Sequence, residues 1–449
     1  MKTASQLTAL LLFASLASAQ NAARGAEGRS VSASSDAYSI AKFSVIGGEI
    51  NMLNGLNSEG EIIATVVMLD QSSVGAVMPT MGVFVSRKDA FQDIGRFGGL
   101  GMWGAAINNA GQVIGSGETV PRDPAAPPAE GPPSHAFLYD HNRLQDLGTL
   151  GGKSSRANAI NDSGWIVGQA DTANANHHAF LYRNGKMQDL GVLGGLNSEA
   201  LFVNAAGQIV GIAEASVDPL GGPGSQPPRH AFIYLNGRIQ DLGTFGGDNC
   251  MPGGINAAGD VVGSADVTRE ITGNGTFRAS TRHAFLYRVG KMTDLGTLGG
   301  LNSRANAIND AGQIVGASDV GAVIHRPDSW DLPVQHAFLY TNGKMQDLGA
   351  IGGKNSVATA INSSGQIVGY LSPDFSFVND HAFLCDHGKM QDLNVLIGEK
   401  VLAKIGIKVL VSADGINDRG QIYGRAFDVN GLKVAYVLTP AKTSFLTFH

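Results

Sequence analysis

Six histidines recur along this chain, and an aspartate follows each at one fixed separation: His135 with Asp146, His178 with Asp189, His230 with Asp241, His283 with Asp294, His336 with Asp347 and His381 with Asp392. Imidazole suits zinc or copper, so a metal centre is the first chemistry to weigh. Each His, however, opens a near-identical His-Ala-Phe segment in a separate copy of one unit. Equivalent residues of a repeat lie on a ring around its axis and do not converge. The expected roles are therefore a strand-end His hydrogen-bonded within its own copy and an Asp that caps turns or accepts hydrogen bonds. No metal and no cofactor are expected.

Other recurrent residues read the same way. The Asn-Asp-x-Gly turns at Asn161, Asn309 and Asn417 suggest calcium loops, but the longer oxygen-rich ligand run that calcium needs is absent. Asn bonding its own backbone is the simpler account. The pairs Gly151-Gly152, Gly194-Gly195, Gly246-Gly247, Gly299-Gly300 and Gly352-Gly353 precede no helix that could present its N-terminus to a phosphate, and they serve tight turns instead.

Recognition is expected where the copies disagree. Five residues before each recurrent Asn the column reads Met52, Trp103, Arg156, Glu199, Met251, Arg304, Val357 and Ser412. Trp, Arg and Glu are residue types that recognise sugars or peptides, which makes Trp103, Arg156, Glu199 and Arg304 the candidate ligand-binding residues. Glycan hydrolysis would need two carboxylates about 5–10 Å apart, and Glu199 with Asp248 is the one pairing to name. No catalytic residue is assigned.

The elements that position these residues follow from turn chemistry and period. In His178–Gly195 two short apolar runs meet at Asn184-Gly185, which supplies the two positive-φ positions of a type I′ hairpin. A second signature, Ala-Ile-Asn161-Asp-Ser-Gly164-Trp-Ile-Val-Gly168, predicts another strand pair around a tight turn, with counterparts at Asn108, Asn204, Asn256, Asn309, Asn362 and Asn417 and a worn copy at Asn57. Four strands per unit of about 43–55 residues are the signature of a β-propeller.

The hairpin Asp lies fifteen residues before the Asn in six copies and ten further in the last, from Asp392 to Asn417. Length varies mainly in one loop, filled by Pro121–Pro128 in one copy and Asp218–Pro223 in another. That loop and the residues after Gly-Gly are expected on one face. The last unit lacks its outer strand, and the orphan segment Tyr38–Val45 is expected to complete it, so that pairing of the chain ends closes the ring. The expected fold is all-β: a single propeller of eight four-stranded blades, or seven if the worn first copy is not a blade.

At 449 residues a closed repeat array is one body over residues 37–440. Abundant Gly, with only 16% charged residues, suits many short strands and tight turns. A net charge of −6 without clustered Lys and Arg excludes nucleic acid as a partner. Lys2, the apolar run Leu7–Leu16 and Ala17-Ser18-Ala19 read as a signal peptide over residues 1–19. No segment is apolar for long enough to span a membrane after its removal. Residues 20–36 carry little apolar surface and read as a flexible leader, and residues 441–449 form a tail. Of the two cysteines, Cys385 replaces the hairpin Tyr as a small packed hydrophobe, and Cys250 is placed in a loop of another copy, so no bridge is expected.

Together, the His-Ala-Phe-Leu-Tyr, Lys-Met-Gln-Asp-Leu-Gly-Thr-Leu-Gly-Gly and Ala-Ile-Asn-Asp-x-Gly-x-Ile-Val-Gly motifs, with the closing Asp-Leu-Asn-Val-Leu-Ile and Ala-Tyr-Val-Leu-Thr-Pro, strongly resemble the bacterial extracellular HAF-repeat family over residues 38–440. The resemblance implies export and a repeat fold and carries no established activity. Many relatives end in a membrane-sorting tail, which the segment Ala441–His449 does not match. The expected function is a secreted, monomeric, non-enzymatic scaffold, extracellular or periplasmic, that binds a polysaccharide or an extracellular protein on the variable face. A glycan hydrolase or lyase at the channel mouth and an architectural envelope or matrix component are the alternatives.

Overall fold

The computed structural model describes residues 28–45, 48–68, 79–87, 90–123, 131–217, 227–267, 281–324, 332–352, 355–372 and 379–441. The expected signal peptide, residues 20–27 of the expected leader, the tail beyond residue 441, residues 124–128 of the Pro-rich loop and the Asp218–Pro223 loop lie outside them. Among the described residues no helix is long and apolar enough to cross a membrane.

The chain forms eight antiparallel blades in a ring, an eight-bladed β-propeller. The innermost strands are the Ile-Asn strands: Gly48–Leu56, Met102–Ile107, Gly151–Ile160, Ser198–Val203, Cys250–Ile255, Ser303–Ile308, Asn355–Ile361 and Ile407–Ile416. Each touches the next, and the last touches the first. The worn first copy is a complete blade, Gly48–Leu56, Ile62–Met68, Thr80–Arg87 and Ala90–Asp93, which settles eight against seven.

The eighth blade is completed by the other end of the chain. Tyr38–Val45 pairs with Lys433–Pro440, with Tyr38 opposite Pro440 and Phe43 opposite Ala435. One expectation for this region is corrected. Gly28–Ser34, assigned above to a flexible leader, is a fifth strand on the outer edge of that blade, running from Gly28 opposite Val45 to Ser34 opposite Ser39. Low apolar content does not keep this segment free, because the edge of Tyr38–Val45 offers unpaired backbone groups that any extended segment can satisfy.

Blades pack because the second and third strands of each blade bury both faces, while the outermost strands are largely exposed. Ile166 and Phe180 of the third blade lie in one cluster, and Val167 and Leu181 of the same blade lie in the next, against Ala200, Ile209 and Phe232 of the fourth. Each of seven blades contributes one fully buried Phe (Phe84, Phe137, Phe180, Phe232, Phe285, Phe338, Phe383), and the eighth contributes Tyr436. Burying each is worth about 1.5–3 kcal/mol. The hairpin turns take the expected conformation, with φ of 52° at Asn184 and 75° at Gly185. The ten extra residues before Asn417 form two short helices, Leu393–Ile397 and Glu399–Lys404, which bury Leu393, Ile397 and Leu402. The sequence pattern had not indicated them.

Candidate functional site

The Gly that ends each Ile-Val-Gly segment places the variable column. A Cβ at Gly115, Gly168, Gly211, Gly263, Gly316, Gly369 or Gly424 would lie 1.9–2.1 Å from a carbonyl oxygen of the inner strand, that of Trp103, Arg156, Glu199, Met251, Arg304, Val357 or Ser412 respectively. Only Gly permits this approach. The crowding accompanies a bulge in the inner strand, for example between Gly104 and Ala106 and between Ala157 and Ala159. Seven of the eight variable residues are thus held closely by backbone, and Met52 of the first blade, where Ala64 stands in place of the Gly, is the exception.

The structure brings three members of the column together. Met52, Trp103 and Arg156, from the inner strands of the first three blades, line one cavity of about 490 Å³ with Asn54, Ser116 and Asn158. Arg156 reaches the fourth blade, where its Nη2 lies 2.6 Å from Glu199 Oε1, and Asn158 Nδ2 donates to the same oxygen at 2.9 Å. Glu199 is therefore a partner of Arg156 and Asn158.

Asn54 differs from its counterparts. Asn158, Asn306 and Thr359, at the same distance before the recurrent Asn, each donate to a carbonyl of the following blade, to Ala200 O at 2.8 Å, Ala358 O at 2.7 Å and Ala413 O at 2.7 Å. Asn54 makes no such bond among the described residues. Its Oδ1 is buried without a hydrogen-bond partner in the wall of the cavity. A buried acceptor left unsatisfied costs about 1–3 kcal/mol.

The remaining column members lie elsewhere. Arg304 lines a separate pocket of about 260 Å³ between the fifth and sixth blades, with Ser264, Arg282, Asn302 and Gln335. Val357 and Ser412 are buried, and larger cross-strand neighbours stand beside them, Tyr370 opposite Val357 and Arg425 opposite Ser412. Arg425 pairs with Asp414 through Nε at 3.0 Å and Nη2 at 3.1 Å. Burial pushes the Tyr370 phenol up, against the pull of Arg304 and Arg425 nearby. Sequence reasoning missed Tyr370 and Arg425. Trp103 faces Ser116 and Arg304 faces Ala317, but Arg156 faces Gln169 and Glu199 faces Ile212, so no consistent inverse size across the pair marked them in the sequence.

The repeated polar residues have structural roles. Each His Nδ1 lies 2.6–2.9 Å from the Asp eleven residues on. The same Asp accepts the N–H of the residue two further along, as Asp189 does from Gly191 at 2.7 Å. Asn161 Oδ1 accepts from Ser163 N and Trp165 N, the expected local bonds, and its Nδ2 donates across to Asn204 O at 3.0 Å. A second carboxylate column went unread. Glu214, Asp266 and Asp319 are buried and receive the backbone and side-chain N–H groups of Asn197, Asn249 and Asn302, each seventeen residues earlier. That recurrent spacing after Gly-Gly would have revealed it.

The described residues that follow the variable loops lie against the turns after Gly-Gly. Ser134 N donates to Ser154 Oγ, His177 N to Asn197 Oδ1 and Gln335 N to Asn355 Oδ1, each into the next blade. Both cysteines are free and buried. Cys250 is not in a loop as expected but opens the inner strand Cys250–Ile255, where the third and fourth blades carry Ser155 and Ser198. Burial pushes its thiol up to about 12.

No family model matches this chain, and no curated protein matches it. Among solved structures it is similar to the β-propeller domain of the trilobed protease from Pyrococcus furiosus, at 8% identity over 77% of this chain and 97% of that one with a TM-score of 0.43. It is also similar to an inulosucrase from Halalkalicoccus jeotgali bound to kestose, at 10% identity over 68% of this chain and 87% of that one with a TM-score of 0.29.

Proposed function

We propose that this chain is an exported propeller of the HAF-repeat kind, and that it binds a neutral glycan, without turning it over, in the cavity of blades one to three. The observation that carries the reading is the buried, unpartnered Asn54 Oδ1 beside Trp103 in that cavity. An indole offers a flat apolar surface to a sugar ring, and a sugar hydroxyl is the donor that Asn54 lacks. Arg156 is neutralised by Glu199, so the wall carries no net charge from that pair. Arg156 is 53% exposed and Glu199 17%, so a ligand can reach the guanidinium from solvent. Export is supported by the Lys2, Leu7–Leu16 and Ala17-Ser18-Ala19 pattern.

Affinity chromatography of the purified chain on a panel of immobilised neutral polysaccharides tests the reading. Retention on at least one, reduced at least tenfold in W103A with unchanged melting, is the expected result. Absence of retention on every matrix, or equal retention of W103A, rejects it. Release of reducing ends from a retained polysaccharide, abolished by E199Q, would replace it with a hydrolase.

A further inference from the structure

The pocket between the fifth and sixth blades has a different electrostatic character from the cavity of blades one to three. Two carboxylates lie at its edge, and both are already engaged. Asp266 takes Arg282 Nε at 3.0 Å together with the amide groups of Asn249. Asp319 takes Gln335 Nε2 at 2.9 Å and both N–H groups of Asn302. Arg282 meets its carboxylate through Nε alone, so its two terminal nitrogens have no bonded partner among the described residues. Arg304 is exposed, lies beside the Tyr370 phenol, and pairs with no carboxylate among the described residues. Among the described residues the pocket therefore holds one guanidinium that is bonded to a phenol and to no carboxylate, a second with unused donors, and the Ser264 hydroxyl in its wall. Its lining contains, among the described residues, a single apolar side chain, Ala317.

A planar fork of donors on an open wall matches a carboxylate, which can accept two parallel N–H bonds from one guanidinium. We propose that this pocket binds the carboxylate of an acidic saccharide, with Arg304 as its principal cation and Arg282 as its second donor. The choice of a saccharide rests on the glycan reading of the first cavity, and the anion preference rests on this pocket alone. Arg425 is excluded as the recognising cation because Asp414 holds it in a two-bond pair.

Titration calorimetry of the whole chain with trigalacturonate, maltotriose, triglutamate and inorganic phosphate tests this. Trigalacturonate should bind, weaken at least tenfold between 0.05 and about 0.5 M salt in line with an ionic contact, and weaken at least tenfold in R304Q. R304K should keep part of the affinity. R419A, at the opposite end of the inner strands, and W103A should leave trigalacturonate binding unchanged, and melting curves should confirm that every variant is folded. Trigalacturonate binding that R304Q leaves intact, or that W103A alone removes, overturns the proposal. Equal R304-dependent binding of triglutamate or phosphate also overturns it, because the pocket would then select charge and not an acidic sugar. Loss of this result with neutral-glycan retention preserved removes only the anion site, whereas loss of neutral-glycan retention with trigalacturonate binding preserved removes only the first cavity.

Discussion

The side-chain amide of Asn417 donates to the backbone carbonyl of Asn57 at 2.9 Å, across 360 residues of sequence. It is the closing member of a continuous circle. Asn57, Asn108, Asn161, Asn204, Asn256, Asn309 and Asn362 each donate to the carbonyl of the next, at 2.9–3.4 Å. Each Asn of this ring both folds its own turn and binds the neighbouring blade, so the same residue serves local structure and closure. Arg419 and Glu59, at 2.9 Å, reinforce the junction from the surface.

Replacing Asn417 by Ala should lower stability by about 2 kcal/mol, since it strips the turn N–H groups of Arg419 and Gln421 of their acceptor and removes the cross-blade donor to Asn57 O, which keeps only the N–H of Gly60. N161A removes the same set of bonds inside the array. Only N417A should also speed hydrogen exchange in Tyr38–Val45, because only it weakens the seam between the chain ends. Identical exchange in the two variants would show that the seam relies on strand pairing alone.

Gly211→Ala should destabilise by about 3 kcal/mol, as an added methyl would collide with Glu199 O and with the ring edge of Phe232. Denaturant melts measure this directly. A loss below about 1 kcal/mol would mean that the inner strand yields easily and does not hold the variable column rigidly.

Val289→Asn should stabilise. Val289 sits at φ 48° in a hairpin turn, 97% exposed, where a β-branched side chain is strained, and Asn occupies the equivalent place at Asn184, Asn236 and Asn342. A gain of about 1 kcal/mol is expected. A melting temperature equal to or below that of the parent would count against strain at this turn.

The two thiols should resist modification in the folded chain. Cys250, pushed up to about 12 by burial, and Cys385, also raised by burial, offer almost no thiolate at neutral pH. A thiol reagent should label neither residue until denaturant is added, and reductant should leave the melting temperature unchanged. Rapid labelling of one thiol in the native protein would contradict this burial.

Acid should weaken the ring through two named carboxyls. Burial alone would raise Asp241, but His230 and the Gly243 N–H outweigh it and hold the group below its ordinary 3.8. Asp260 is likewise held low against its burial, by Arg288 and Asn256. A depressed native value means that this stability is present above the ordinary carboxyl range and is lost as pH falls through the native value. Unfolding free energy should therefore decline below about pH 4, and D260N should flatten that decline. An unaltered slope in D260N would assign the acid sensitivity to other groups.

Much of the architecture could be read from local chemistry. Asn-Gly dipeptides fix hairpins, the Ile-Asn and Ile-Val-Gly segments fix strand pairs, and the fourth strand missing from the last copy matched the orphan at Tyr38–Val45. The strand Gly28–Ser34 could not be read, because its cause is a free backbone edge and not its own composition. Met52, Trp103 and Arg156 were singled out by variability and do line one cavity. Arg304 shared the pattern yet lies in another pocket, and Tyr370 and Arg425 escaped notice because they sit on the second strand.

The repeat unit, its four strands and its turns were determined by the sequence alone, since backbone conformation and side-chain alternation act over a few residues. Which variable side chains stand open was decided only in the tertiary structure. Arg156 is neutralised because the neighbouring blade places Glu199, 43 residues away in sequence, beside it, and Asn54 Oδ1 is buried without a partner in the assembled ring. Contacts between blades depend on the ring that brings those residues together, and no local pattern records them.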